Sequence, residues 1–192
     1  MKNKPPKLLN APNLLSLSRV AAVPILILLL VFESRITSRL AAILFLIAIF
    51  TDLLDGFLAR RQQVITNFGR FLDPVADKLI NSAALIMLIP LDRATAWMVF
   101  LIIGREIAVT GLRAMASSEG IVIDASMLGK RKTLTQNAAI FLLIFHYPIY
   151  SLDFHLYGTV LLWMALLITY WSGIAYFFNF FHTVSLTSSG ET

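Results

Sequence analysis

Six long apolar stretches alternate with short polar breaks along the chain, and each is long enough to cross a hydrocarbon layer about 30 Å thick as a helix. The pattern predicts helices at 13–32, 38–60, 71–91, 94–116, 130–149 and 154–181. Prolines punctuate it. Pro12 suits the first turn of the first helix, where a missing N–H costs little, and Pro24 predicts a kink inside that helix. Pro74 suits the opening turn of the third helix, which would set Asp73 near its positive end. Pro90 and Pro148 mark the ends of the third and fifth helices. No fixed-period repeat or low-complexity linker divides the sequence, so 1–192 reads as one domain.

Composition sharpens this. The chain is 58% hydrophobic with a mean hydropathy of +0.78, which excludes an ordinary soluble domain. The expected fold class is an all-α membrane protein, a bundle of six transmembrane helices. There is no cysteine, so disulfides and thiolate metal sites are excluded. Lys2, Lys4 and Lys7 before the first apolar run look like the start of a signal peptide. No small-residue cleavage site follows, and a retained first helix is expected.

The net charge of +5 is unevenly placed. Lys2, Lys4, Lys7, Arg60, Arg61, Arg70, Lys130, Arg131 and Lys132 fall on one side of the expected bundle. The other side has Arg35, Arg39 and Arg93, offset by Glu33, Asp92 and Asp153. The excess of basic residues puts both termini and the turn within 52–77 on the cytoplasmic side. No basic stretch interleaves with aromatics as a nucleic-acid surface would, and no nucleic-acid partner is expected. Tyr147, Tyr150, Tyr157, Trp97 and Trp163 near helix ends read as an interfacial belt. The long connection 117–129 contains Ile121, Val122 and Ile123, which pack on the bundle or touch headgroups.

Between the second and third apolar runs stand four aspartates, Asp52, Asp55, Asp73 and Asp77. Asp52 and Asp55 are three apart and Asp73 and Asp77 four apart, so on helices each pair shares a face. A short turn near 62–67 would bring the four carboxylates to one point. Uncompensated charges there would repel, and a cation site is the economical explanation. Oxygen-only ligands suit hard ions such as Mg2+ or Mn2+. Two such ions can neutralise the attacking and leaving oxygens of a displacement at phosphorus. Gly56 and Ala59, almost without side chains, leave room for a flat base or sugar against the helix. Arg60 can reach a diphosphate through its forked donors. Gly69 lets backbone approach a ligand, and Asn13 either holds a nucleotide or caps a helix.

Written with its gaps, Asp52-x2-Asp55-Gly56-x2-Ala59-Arg60-x8-Gly69-x3-Asp73-x3-Asp77 resembles the signature of the CDP-alcohol phosphotransferase family at every fixed position. The six-helix layout is similar too. The resemblance implies two divalent cations, a CDP-linked donor, and Asp77 as the base that deprotonates an acceptor hydroxyl; Asp77 as a ligand alone remains open. It also implies a homodimer, and the inner membrane of a bacterium with the site facing the cytoplasm.

Other polar groups bear on the acceptor. Arg105 and Glu106 interrupt the fourth helix, Arg113 follows two turns on, and Lys130, Arg131 and Lys132 open the fifth. Intramembrane charges face a bundle interior or cavity. A pocket of Arg105, Arg113, Lys130 and Lys132 would attract a phosphorylated acceptor. Alternatively Arg105 pairs with Glu106 or a motif aspartate, and 130–132 is a topology signal. Pro12-Asn13-Leu14-Leu15-Ser16-x2-Arg19, Gly104-Arg105-Glu106-Ile107 and Gly129-Lys130-x-Lys132-Thr133-x2-Gln136 resemble the family members that form phosphatidylglycerophosphate, with Ser16 where threonine is usual. That resemblance implies CDP-diacylglycerol and sn-glycerol 3-phosphate as substrates within a lipid membrane. Inositol phosphate, serine or a second phospholipid as acceptor, a cation transporter, and an aspartate-rich prenyl-diphosphate enzyme are the alternatives. His146, His155 and His182 lack metal-ligand spacing and read as interface or loop residues.

Overall fold

The computed structural model describes residues 11–62, 67–118 and 127–188, and the side chains of 13–52, 69, 72–116, 129 and 131–178. It contains six helices: α1 Ala11–Val31, α2 Arg35–Gln62, α3 Asn67–Leu88, α4 Ala96–Ser118, α5 Met127–Phe145 and α6 Phe154–Ser188. No strand occurs among the described residues.

Local chemistry explains the ends. Ser34 and Thr37 cap α2 reciprocally: the Thr37 N–H donates to Ser34 Oγ at 3.1 Å and the Ser34 N–H to Thr37 Oγ1 at 3.2 Å. This capping exchange starts α2 at Arg35, ahead of its apolar run. Asp153 caps α6 by accepting the Leu156 N–H at 3.1 Å. α5 stops at Phe145, short of the expected 149, because His146 turns left-handed with φ 54° and Pro148 disfavours helix before it.

α3 departs from expectation in a way that matters. It begins at Asn67 rather than 71. Pro74 therefore lies inside the helix, not in its opening turn. Asp73 sits well past the first turn, where the helix dipole has little effect.

α1 packs on α2 and α3, α5 packs on α6, α2–α5 and α3–α5 contacts join the two groups, and α4 packs on α6 and α3. Leu26, Leu30, Phe45, Leu85, Leu88, Ile140, Leu143 and Leu162 form the shared core. The outside is also apolar: Phe100, Leu134, Trp171 and Phe178 are each more than 70% exposed. α1 over Asn13–Val31 and α6 over Phe154–Phe178 are long and apolar enough to cross a membrane.

At the end of the bundle away from the aspartates, Arg93 is buried and ties three segments. Its Nη1 donates to the carbonyls of Ile144 at 3.0 Å and Leu143 at 3.4 Å, and to Ser38 Oγ at 3.3 Å. It thus satisfies the open carbonyls at the end of α5. His146 and His155 meet edge to face beside it, 5.0 Å apart.

The α5–α6 contact depends on Gly158. A Cβ there would meet Leu143 Cγ at 2.8 Å and the Leu143 backbone nitrogen at 3.0 Å. Alanine gains about 1 kcal/mol over glycine in helix propensity, whereas overpacking costs about 1–3 kcal/mol. Because backbone must move, the clash wins. Gly158→Ala is expected to lower stability by about 1 kcal/mol in thermal unfolding in detergent. Gly111→Ala, where nothing lies within 4 Å, should not lower it. Equal behaviour of the two variants would show that the helices do not approach this closely.

Candidate active site

Asn13, Ser16 and Arg19 follow one another at three-residue spacing on α1, which places them along one face of the helix. All three are buried, Arg19 to 1% exposure. That face meets the aspartates of α2 and α3. Arg19 Nη1 donates to Asp52 Oδ1, and Nη2 lies 3.8 Å from Asp73 Oδ1. Ser16 Oγ donates to the same Asp73 oxygen, and Arg19 Nη2 reaches Ser16 Oγ at 3.5 Å. One guanidinium therefore holds carboxylates from two helices, and α1 is the third wall of the site.

Asp77 lies one turn beyond Asp73. The Asn81 Nδ2 group donates to Asp77 Oδ1 and to the Asp77 backbone carbonyl, each at 3.0 Å, which fixes the carboxylate. Among the described residues, Asp52, Lys78, Arg19 and Lys132 place their charges around Asp77. It opens on a cavity of about 40 Å³ between α3, α4 and α5, whose polar lining includes Asp77, Lys78, Asn81, Glu106, Lys132 and Gln136.

Glu106 is the anion of that cavity. It pairs with Lys132, which is 3% exposed, and lies 3.9 Å from Lys78. Arg105 does not pair with it, since neighbours on a helix do not face the same way. Arg105 instead crosses to α6, donating to Ser172 Oγ at 2.6 Å. Arg113 sits over the Tyr176 ring, 5.4 Å from its centre. Of the basic residues expected around an acceptor, Lys132 thus shares a cavity with Asp77, while Arg105 and Arg113 line the α4–α6 side.

The side chains of Asp55, Gly56, Ala59, Arg60 and Lys130 lie outside the described residues, as do 63–66 and Ile121, Val122 and Ile123. Gly69 is buried. Among the described residues no three acids or histidines stand close enough to hold one metal ion. Asp52 and Asp73 do converge on a single positive group, and their hard oxygen donors fit Mg2+ or Mn2+ rather than a softer metal.

The sequence pattern by itself gives Arg19 no role and offers Glu106 only as a partner for Arg105. A signal for Arg19 was present: an arginine inside an apolar run, three residues after a serine, calls for an acidic partner within the bundle. For Glu106 the choice between Arg105, Lys78 and Lys132 depends on helix rotation, which spacing does not give.

The family model for CDP-alcohol phosphatidyltransferase matches residues 9–171. A CDP-diacylglycerol–glycerol-3-phosphate 3-phosphatidyltransferase of Bacillus subtilis is 44% identical over 180 residues, covering 88% of this chain and 93% of that protein. One from Rickettsia bellii is 37% identical over 171 residues, with 88% and 93% covered. A cardiolipin synthase (CMP-forming) of Oryza sativa subsp. japonica is 43% identical over 154 residues, covering 73% of this chain and 47% of that protein.

Proposed function

This chain belongs to the CDP-alcohol phosphatidyltransferase family, and we propose from that premise that it transfers the phosphatidyl group of CDP-diacylglycerol to sn-glycerol 3-phosphate, giving phosphatidylglycerophosphate and CMP. The observation that carries this reading is the convergence of Asp52 and Asp73 on Arg19, with Asp77 one turn away on a polar cavity.

The acceptor's primary hydroxyl oxygen bonds to the phosphorus bearing diacylglycerol, and the bond from that phosphorus to the CMP oxygen breaks. Asp77 takes the hydroxyl proton, held in orientation by Asn81. Two divalent cations, Mg2+ or Mn2+, bound by Asp52, Asp55, Asp73 and Asp77, would supply charge neutralisation at the diphosphate. Asn13, Gly56, Ala59, Arg60 and Gly69 form the nucleotide wall. Arg105, Arg113, Lys130 and Lys132 hold the acceptor phosphate, with Lys132 nearest the reacting end. The apolar exterior supports six membrane spans. The basic bias supports placing the site, between α2 and α3 with α1 as its third wall, at the cytoplasmic face. The family resemblance adds a bacterial inner membrane and a homodimer.

The cardiolipin synthase relative raises a second phospholipid as acceptor. A cavity of about 40 Å³ beside Asp77 favours a small alcohol. Purified protein given CDP-diacylglycerol and a panel of alcohols should release CMP fastest with glycerol 3-phosphate and only when Mg2+ or Mn2+ is present, and EDTA should stop it. CMP release driven by phosphatidylglycerol, serine or inositol phosphate instead would replace this acceptor. Cation flux in liposomes without CMP release would replace the reaction.

A further inference from the structure

Two buried acceptors in the cavity beside Asp77 have no partner among the described residues: Asn81 Oδ1 and Gln136 Oε1. Asn81 is 7% exposed and Gln136 4%. The Asn81 amide cannot simply be turned over, because its nitrogen already donates to two Asp77 oxygens, so its carbonyl oxygen must face the other way. A buried acceptor left without a donor costs about 1–3 kcal/mol. Two of them in one cavity call for a guest that brings O–H groups.

The surroundings narrow that guest. Both lysines of the cavity face Glu106, so their charges are partly answered before anything enters. The cavity's volume of about 40 Å³ takes about three water-sized groups. That fits the carbinol end of a short polyol and not an acyl chain or a sugar ring.

We propose that Gln136, with Asn81, forms the hydroxyl-reading subsite for the acceptor, and that Gln136 Oε1 accepts the hydrogen of the hydroxyl next to the attacking one. This rests on the phosphatidyl-transfer reading above and adds to it the residues that recognise the vicinal diol. Asn81 has a double duty: its nitrogen orients Asp77 and its oxygen faces the guest. Gln136 touches neither aspartate nor metal ligand in any contact described, so it can be altered without disarming the base.

The test compares sn-glycerol 3-phosphate with 3-hydroxypropyl phosphate, which keeps the phosphate and the attacking hydroxyl but lacks the middle one. The wild-type protein should prefer the first by about 10- to 100-fold in kcat/KM, the range expected for one buried hydrogen bond. Gln136→Met and Gln136→Ala should bring that ratio to within about threefold. Gln136→Glu, which keeps an acceptor oxygen and changes the charge equally for both alcohols, should retain the preference. A structural role alone changes both rates together and leaves the ratio where it was. The proposal is overturned if the wild-type shows no preference, or if either apolar variant keeps it, in which case water alone fills the cavity. A wild-type protein that releases CMP with neither alcohol overturns the transfer reaction as well, and that arm is read before any variant.

Discussion

Asp77→Asn should lower CMP release from CDP-diacylglycerol by about 10³-fold while leaving the protein folded. The loss has two parts. The amide cannot take the acceptor's proton, and a positioned base contributes about 10²–10⁴-fold. The amide is also a poorer ligand for a hard cation than the carboxylate it replaces. Folding should survive because the local hydrogen bond survives: Asn81 Nδ2, now 3.0 Å from Asp77 Oδ1, can still donate to an amide oxygen, more weakly than to the carboxylate. The charge interaction of Asp77 with Asp52 disappears at the same time. The measurement pairs CMP release at saturating glycerol 3-phosphate with the melting temperature in detergent. Raising Mn2+ separates the two parts. If Asp77 serves only as a ligand, excess metal restores most of the rate. If it is the base, excess metal leaves the rate low. Activity within about tenfold of wild type at ordinary Mg2+ would remove Asp77 from both roles.

What the sequence shows and hides here follows from geometry. Helix existence was legible because apolar length and proline placement are local properties: the expected runs all correspond to helices of the structure. The ends were less legible, because they depend on pairs such as Ser34 with Thr37 and on His146 adopting a left-handed backbone. Spacing alone put the aspartates on two adjoining helices. It could not show that α1 enters the site, since Ser16 and Arg19 are 57 and 33 positions from the aspartates they bond. The basic residues illustrate the same limit. Arg105 and Glu106 are neighbours in sequence, yet one faces α6 and the other the cavity. Which of two adjacent charges enters a pocket is set by helix rotation, and rotation is set by packing.

Arg19→Met should destabilise the protein in EDTA by about 2 kcal/mol, and added Mn2+ should recover most of that loss. Removing one partner from a buried charge pair costs about 3–5 kcal/mol. Arg19 is 1% exposed, but Asp52 and Asp73 are 41% and 42% exposed, so solvent screens part of the cost. For a chain of this size, about 2 kcal/mol corresponds to roughly 4–8 °C in melting temperature. Methionine fills the space of the arginine stem, so little of the loss should come from a cavity. The remaining loss is electrostatic: two carboxylates from different helices lose the one cation described between them. A divalent cation carries twice that charge and binds the folded form, so it stabilises by mass action. The Mn2+-induced rise in melting temperature should therefore be larger in Arg19→Met than in wild type. Arg19→Lys, which keeps the charge but not the fork, should lie between them. If Arg19 merely ties α1 to its neighbours, the variant melts lower by the same amount with and without Mn2+. That result would separate Arg19 from the electrostatics of the metal site and leave Asp52 and Asp73 with no demonstrated coupling through it.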